Sequence, residues 1–113
     1  MKLVLAYIRH RKLEAVFTSL KQEGYCCMTF IECEGTGEYS DHSKEHISEK
    51  YSFAAAYRVV KLEVLVNDKD VDNVISIIRA SGRTGYSGDG MVFISPVEEV
   101  YKIKTDEKGF EII

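Results

Sequence analysis

The chain has 113 residues, 45% of them hydrophobic and 29% charged, which is the composition of one globular domain, residues 1 to 113, and too short for two separate cores. Fifteen basic residues against eighteen acidic ones leave a formal net charge of -3; this excludes a general attraction to nucleic acid, so any anion site must be local. The opening run MKLVLAYIRHRK is too short and too quickly charged for a secretory signal, and no stretch approaches the length of a membrane span.

In chain order, LVLAYIR is β-rich and predicts a first strand over residues 2 to 9. Leu13, Val16, Phe17 and Leu20 then fall at i, i+3, i+4 and i+7, one stripe of a first helix that Gly24 can stop. YCCMTFIECEG reads as a second strand from Tyr25 to Gly35. Its cysteines, with no C-x-x-C spacing, argue against both a disulfide framework and a thiolate zinc site, and they fit a reducing cytoplasm. On such a strand Cys27 and Cys33 share a face and Cys26 points away, and all three are expected to act as small buried hydrophobes.

The same order recurs in the second half. YRVVKLEVLV alternates Val60, Leu62, Val64 and Val66 onto one face of a third strand, and Val71, Val74, Ile75 and Ile78 repeat the helical stripe. Asn67 or Asp68 can cap this second helix and Gly82 can end it. MVFIS supplies a fourth strand and VYKIKT a short fifth.

Two tandem β-α-β halves predict an α+β fold: a ferredoxin-like split βαβ sandwich with a four-stranded antiparallel sheet and two helices on one face. The polar connection between strands 2 and 3, residues 36 to 56, is far longer than a hairpin needs, and such loops are usually functional or disordered.

The candidate chemistry lies in GRTGYSGDGMVFISPVEEVYKIKTDEKG. Gly85, Gly88 and Gly90 allow backbone N–H groups to converge on an anion, but Asp89-Gly90 is equally a tight-turn dipeptide. Lys102 and Lys104 point the same way from an extended chain, roughly 6.5 to 7 Å apart, which suits successive phosphates; an edge strand protected by lysines has the same pattern. In the central loop, His42 and His46 stand at i, i+4 with Asp41 and Glu45 nearby, yet spacing fixes no third metal ligand and the commoner explanation is a solvated loop.

RTGYSGDGMVFISPVEEVYKIKT resembles the C-terminal signature of the PII-type nitrogen-regulatory signalling proteins, approximately R-T-G-x-x-G-D-G-K-I-F-V-x-P-V-E-E-x-x-R-I-R-T. RHRKLEAVFTSLKQEGYCCMTFIECEGTG and VVKLEVLV are similar to that family's N-terminal pattern, K-P-x-K-L-x-x-V-x-x-A-L-x-x-x-G-x-x-G-M-T-x-x-x-V-x-G-x-G, and to its V-K-I-E-I-V-V strand. The resemblance implies a cytoplasmic homotrimer that binds an adenine nucleotide (ADP, AMP or ATP) in clefts between subunits, often with Mg and 2-oxoglutarate. It also implies a signalling role without catalysis, in which the long loop, residues 36 to 56, meets a membrane transporter or metabolic enzyme. It places Thr29, Gly35, Gly37 and Glu63 near the nucleotide, Gly88, Asp89 and Gly90 in a phosphate loop completed by Arg83 and Thr84, and Lys102 and Lys104 at two cleft arginines.

The chain departs from the pattern at several of these points. Met91 stands in place of a phosphate-contacting lysine and Tyr39 in place of a glutamine that helps hold Mg and 2-oxoglutarate; neither side chain can supply the missing group. Val59 takes the place of another lysine when Lys61 is aligned, with Arg58 beside it, and lysine at 102 and 104 keeps the charge without arginine's bidentate fork. Each lost charge-assisted contact costs about 1.5–3 kcal/mol, roughly ten- to a hundred-fold in affinity. The expectation is a divergent sensor with a reduced Mg-ATP and 2-oxoglutarate response. Tyr51 lacks the R-G-x-E-Y context of the family's modified tyrosine, so nucleotidylation is not expected.

Other functions on this architecture need other sites. RHRKLE lacks the glycine-rich cradle of an acyl-phosphate hydrolase, and YRVVKLEVLV lacks the aromatic motif of an RNA-binding domain. The best alternative is a metal-binding or structural trimer of the CutA kind, using the histidine loop or the cysteines. No nucleophile, base and orienting group can be assembled from the sequence.

Overall fold

The computed structural model of the chain describes residues 1 to 36, 58 to 86 and 88 to 109. Its elements are β1 (Lys2–Arg9), α1 (Leu13–Gln22), β2 (Met28–Glu34), β3 (Arg58–Val66), α2 (Val71–Gly82) and β4 (Val92–Pro96). A turn of 3-10 helix leads into each helix, His10–Lys12 before α1 and Asp68–Asp70 before α2.

The strands form one antiparallel sheet of four in the order β2-β3-β1-β4, the ferredoxin-like split βαβ arrangement. Period-two alternation decides which face is buried. Val4, Ala6 and Ile8 of β1 and Val60, Leu62, Val64 and Val66 of β3 are buried against Val16 and Leu20 of α1 and Val74 and Ile78 of α2. Each valine, leucine or isoleucine among them contributes about 1.5–3 kcal/mol on removal from water, so this single layer dominates the stabilisation. Of the predicted stripes, Phe17 stays 40% exposed and packs edge-on against Phe30, with ring centroids 6.0 Å apart. Ile77 joins the margin of the core.

The helix ends follow backbone rules more than side-chain caps. Gly24, at φ +91, closes α1: its N–H reaches the Lys21 carbonyl at 3.0 Å while the Tyr25 N–H reaches Leu20 at 3.0 Å. This is the Schellman pattern that a left-handed glycine permits. At α2 the expected cap is absent: neither Asn67 nor Asp68 makes a side-chain cap bond. The Asp70 N–H bonds the Asn67 carbonyl at 2.9 Å, and Asp68 is drawn to the amino group of Met1 at 3.0 Å and to Lys2 at 3.6 Å. That amino group's hydrogen bond, reinforced by the charge of Lys2, holds the Asp68 carboxyl below its ordinary range.

Two further expectations change. β2 starts at Met28 rather than Tyr25, because the Tyr25 N–H is engaged in closing α1; Cys26 and Cys27 therefore lie before the strand and are exposed, and Cys33 is half-buried. The fifth strand is replaced by one bridge between Tyr101 and Lys108. There the Lys102 N–H bonds the Glu107 carbonyl and the Gly109 N–H bonds the Val100 carbonyl. The chain bends through 103 to 106, with Thr105 Oγ1 accepting from the Glu107 N–H and donating to the Glu107 carboxylate.

Candidate functional site

The loop between α2 and β4 is organised by one carboxylate. Asp89 accepts from the Thr84 hydroxyl at 2.6 Å, from the Thr84 and Gly85 backbone N–H groups at 2.9 Å each, and from Arg9 Nε at 2.9 Å. The Thr84 hydroxyl, followed by the Arg9 guanidinium, holds the Asp89 carboxyl far below the usual carboxylate range. Thr84 Oγ1 also accepts from the Tyr86 N–H at 3.1 Å. The predicted loop residues Thr84, Gly88, Asp89 and Gly90 are thus brought together, and they are fastened to Arg9, which sequence reasoning did not place in the site. No local pattern could reveal that partner, since it lies 80 residues away in sequence.

Gly90 has a role that neither sequence explanation anticipated. A Cβ on Gly90 would lie 1.7 Å from the Tyr7 carbonyl oxygen, and one on Gly88 would lie 3.0 Å from the Arg9 guanidinium. Gly90 is required for the close approach of the loop to β1, where the Tyr7 N–H bonds the Met91 carbonyl at 2.9 Å. Gly85 and Gly88 carry φ of +85 and +98, so the turn demands them as well. The Thr84 and Gly85 N–H groups are already engaged by Asp89, and an anion could use them only by displacing that carboxylate.

Thr29 and Glu63 form a second group. They are register partners on β2 and β3, and Glu63 in turn pairs with Leu5 and Leu5 with Phe93, placing all four in one row on the face away from the helices. The neighbouring row, one strand repeat or about 7 Å along, runs Ile31, Lys61, Tyr7 and meets the glycine loop at Tyr7. Lys61 Nζ lies 3.2 Å from Glu63, and that hydrogen bond raises the Lys61 pKa. Gly35 follows β2 with open space around its Cα; Gly37 lies outside the described residues.

Arg83 continues from α2 in extended conformation and is exposed. Lys102 and Lys104 are exposed too, but the extended geometry expected for them does not hold, because the chain bends there and Lys102 Nζ lies 3.7 Å from Glu107. Met91 is 68% exposed beside the loop.

The cleft at this site, lined by Tyr7, Ile78, Arg79, Arg83, Asp89 and Gly90 among others, holds about 150 Å³, below the roughly 300–1,000 Å³ of a typical small-molecule pocket. A larger cleft of about 500 Å³ lies elsewhere, between the start of α1 and Phe30, and includes none of the predicted site residues. Among the described residues no group of three or more His, Cys, Asp or Glu side chains could hold a metal ion; His42, His46, Tyr39 and Tyr51 lie outside them. No helix among the described residues is long and apolar enough to cross a membrane.

Comparison with known proteins agrees with this arrangement. The family model described as "Nitrogen regulatory protein P-II" matches residues 1–107. The chain is 39% identical over 113 residues, the full length of both chains, to the nitrogen regulatory protein P-II of Nostoc punctiforme, and equally to that of Microchaete diplosiphon. It is 39% identical over 109 residues to nitrogen regulatory protein P-II 2 of Methanothermobacter thermautotrophicus, covering 96% of this chain and 94% of the relative. Matched by the family model over residues 1–107 and similar to these relatives over nearly its whole length, the chain belongs to the nitrogen regulatory protein P-II family.

Proposed function

We propose that this protein is a P-II-type signalling protein of nitrogen regulation, or of related metabolism, that senses an adenine nucleotide in clefts between the subunits of a homotrimer. Its output passes through residues 36 to 56 to a membrane transporter or metabolic enzyme, and it has no catalytic role of its own. The observation that carries this reading is the incomplete cleft: glycines fastened through Asp89 beside Arg83, on a wall too shallow for a nucleotide, in a chain of this family. Walls from a second copy supply the missing volume.

An open sheet face supports the assembly. Opposite the helices, Leu3, Leu5, Val59 and Leu65 are only half-buried, and Ile31 and Phe93 remain 43% and 47% exposed. Ile103, between the two lysines, is fully exposed. An apolar face of this kind in so small a chain gains most by packing against copies of itself.

ADP, AMP or ATP is the ligand, with a reduced Mg-ATP and 2-oxoglutarate response, because methionine at 91 and tyrosine at 39 lack the charge and the amide that those contacts need. Calorimetry with the three nucleotides, beside sedimentation to establish the oligomeric state, tests both halves of the reading. A trimer that binds a nucleotide supports it; a monomer that binds none overturns it.

A further inference from the structure

α1 ends at the Schellman turn and β2 begins at Met28, leaving a short irregular segment that carries two adjacent thiols. Cys26 and Cys27 are both exposed and both free, and their Sγ atoms are 2.9 Å apart, inside the contact distance of two sulfur atoms. Neither contributes to the core, so packing gives no reason for either. Lys21 and Lys102 favour the thiolate of Cys27 electrostatically, while contact with Cys26, the largest influence, raises its pKa. The case for the pair therefore rests on the exposure and mutual contact of the two sulfurs, which leave both open to a reagent.

We propose that Cys26 and Cys27 form a vicinal dithiol that a hydroperoxide converts to a disulfide, a reversible modification site at the entrance to β2. In the first step a thiolate sulfur attacks the terminal oxygen of R–O–O–H. The O–O bond breaks, the sulfur becomes a sulfenic acid, and the alkoxide leaves as ROH, taking up the thiol's proton. In the second step the neighbouring thiol displaces hydroxide from the sulfenic sulfur, forming the S–S bond and releasing water. Two thiols are oxidised and one peroxide bond is reduced.

The ring has a built-in lability. Adjacent Cα atoms across a trans peptide stand about 3.8 Å apart, below the roughly 4.4–6.8 Å usual for a disulfide. Strain of this kind raises the reduction potential, so the bond opens readily to thiols. Closing it constrains the backbone that leads into Thr29. The chemistry of the pair does not depend on the nucleotide reading.

The test uses the full chain with Cys33→Ser, so that the third thiol cannot compete. The protein is treated with hydrogen peroxide, its remaining thiols are alkylated under denaturing conditions, and the peptide carrying residues 26 and 27 is sequenced by mass spectrometry. The expected product is a single denatured chain with no covalent link to another, lacking two hydrogen atoms and with neither cysteine alkylated, and dithiothreitol restores both alkylation sites. The same reduced protein should bind one equivalent of phenylarsine oxide, a reagent for paired thiols, and Cys26→Ser should abolish this binding. Full alkylation after peroxide, over-oxidation to sulfinic acid without a bridge, or a disulfide only between chains would overturn the proposal.

Discussion

Arg9, the last residue of β1, donates from Nε to the Asp89 carboxylate at 2.9 Å, pinning the glycine loop to the end of a central strand. The same carboxylate gathers Thr84 and Gly85, so one acidic side chain joins sheet, helix end and loop. Asp89 is therefore expected to shape the candidate site from within, as a positioning residue that holds the loop's backbone.

Because its carboxyl is held below the ordinary range, Asp89 contributes stability that is present in full above the unfolded-state value, about 3.9. That contribution is lost as pH falls through the lower folded-state value. Asp89→Asn should therefore reduce thermal stability at neutral pH, and the gap between wild type and variant should narrow only in strong acid. Melting temperatures from pH 7 downwards give the comparison. A gap that is constant across the series would mean that charge at Asp89 does not matter.

Gly90→Ala should destabilise the fold by on the order of 3 kcal/mol, since its Cβ would meet the Tyr7 carbonyl at 1.7 Å and backbone must move. Gly35→Ala, with nothing within 4 Å, should change stability by less than about 0.5 kcal/mol. Urea unfolding of both variants separates the two kinds of glycine. If Gly35→Ala nonetheless weakens nucleotide binding, the loss reports close approach of ligand and not folding.

Phe93→Asp should dissociate the proposed trimer. Phe93 lies on the open face, half-exposed and edge-on to Tyr7 with centroids 6.0 Å apart, so a charge there is tolerated by the monomer but desolvated in an assembly. Light scattering after size exclusion should show a fall to monomer mass. An unchanged oligomer would place the subunit contacts on another surface.

Lys102→Ala combined with Lys104→Ala should weaken nucleotide binding ten-fold or more while leaving the melting temperature almost unchanged, because both side chains are exposed and the Lys102–Glu107 pair is a surface contact. Unchanged affinity would remove both lysines from the site.

Much of the fold was legible because it rests on periodicity. Val60, Leu62, Val64 and Val66 alternate, and Val16, Leu20, Val74 and Ile78 fall at helical spacing, so the buried face could be read from local pattern. Gly24 could be read for the same reason, since a helix stop is a local event. Arg9 could not: its partner is fixed only once β1 and the loop before β4 are neighbours in space. The glycines pointed to the right loop for an incomplete reason, because the need at Gly90 arises from the Tyr7 carbonyl of another strand. Lys102 and Lys104 looked extended from the strand-like VYKIKT pattern, but the chain bends through 103 to 106, beside the Tyr101–Lys108 bridge and the Thr105–Glu107 hydrogen bonds. Cys26 and Cys27 looked like strand residues until the closure of α1 claimed the backbone before them.

The most direct test of the central claim is calorimetric titration of the purified protein with ATP, ADP and AMP, each with and without Mg and 2-oxoglutarate. The expected result is micromolar binding of at least one adenine nucleotide, with little gain from Mg and little or none from 2-oxoglutarate. Binding of no adenine nucleotide under any of these conditions would contradict it.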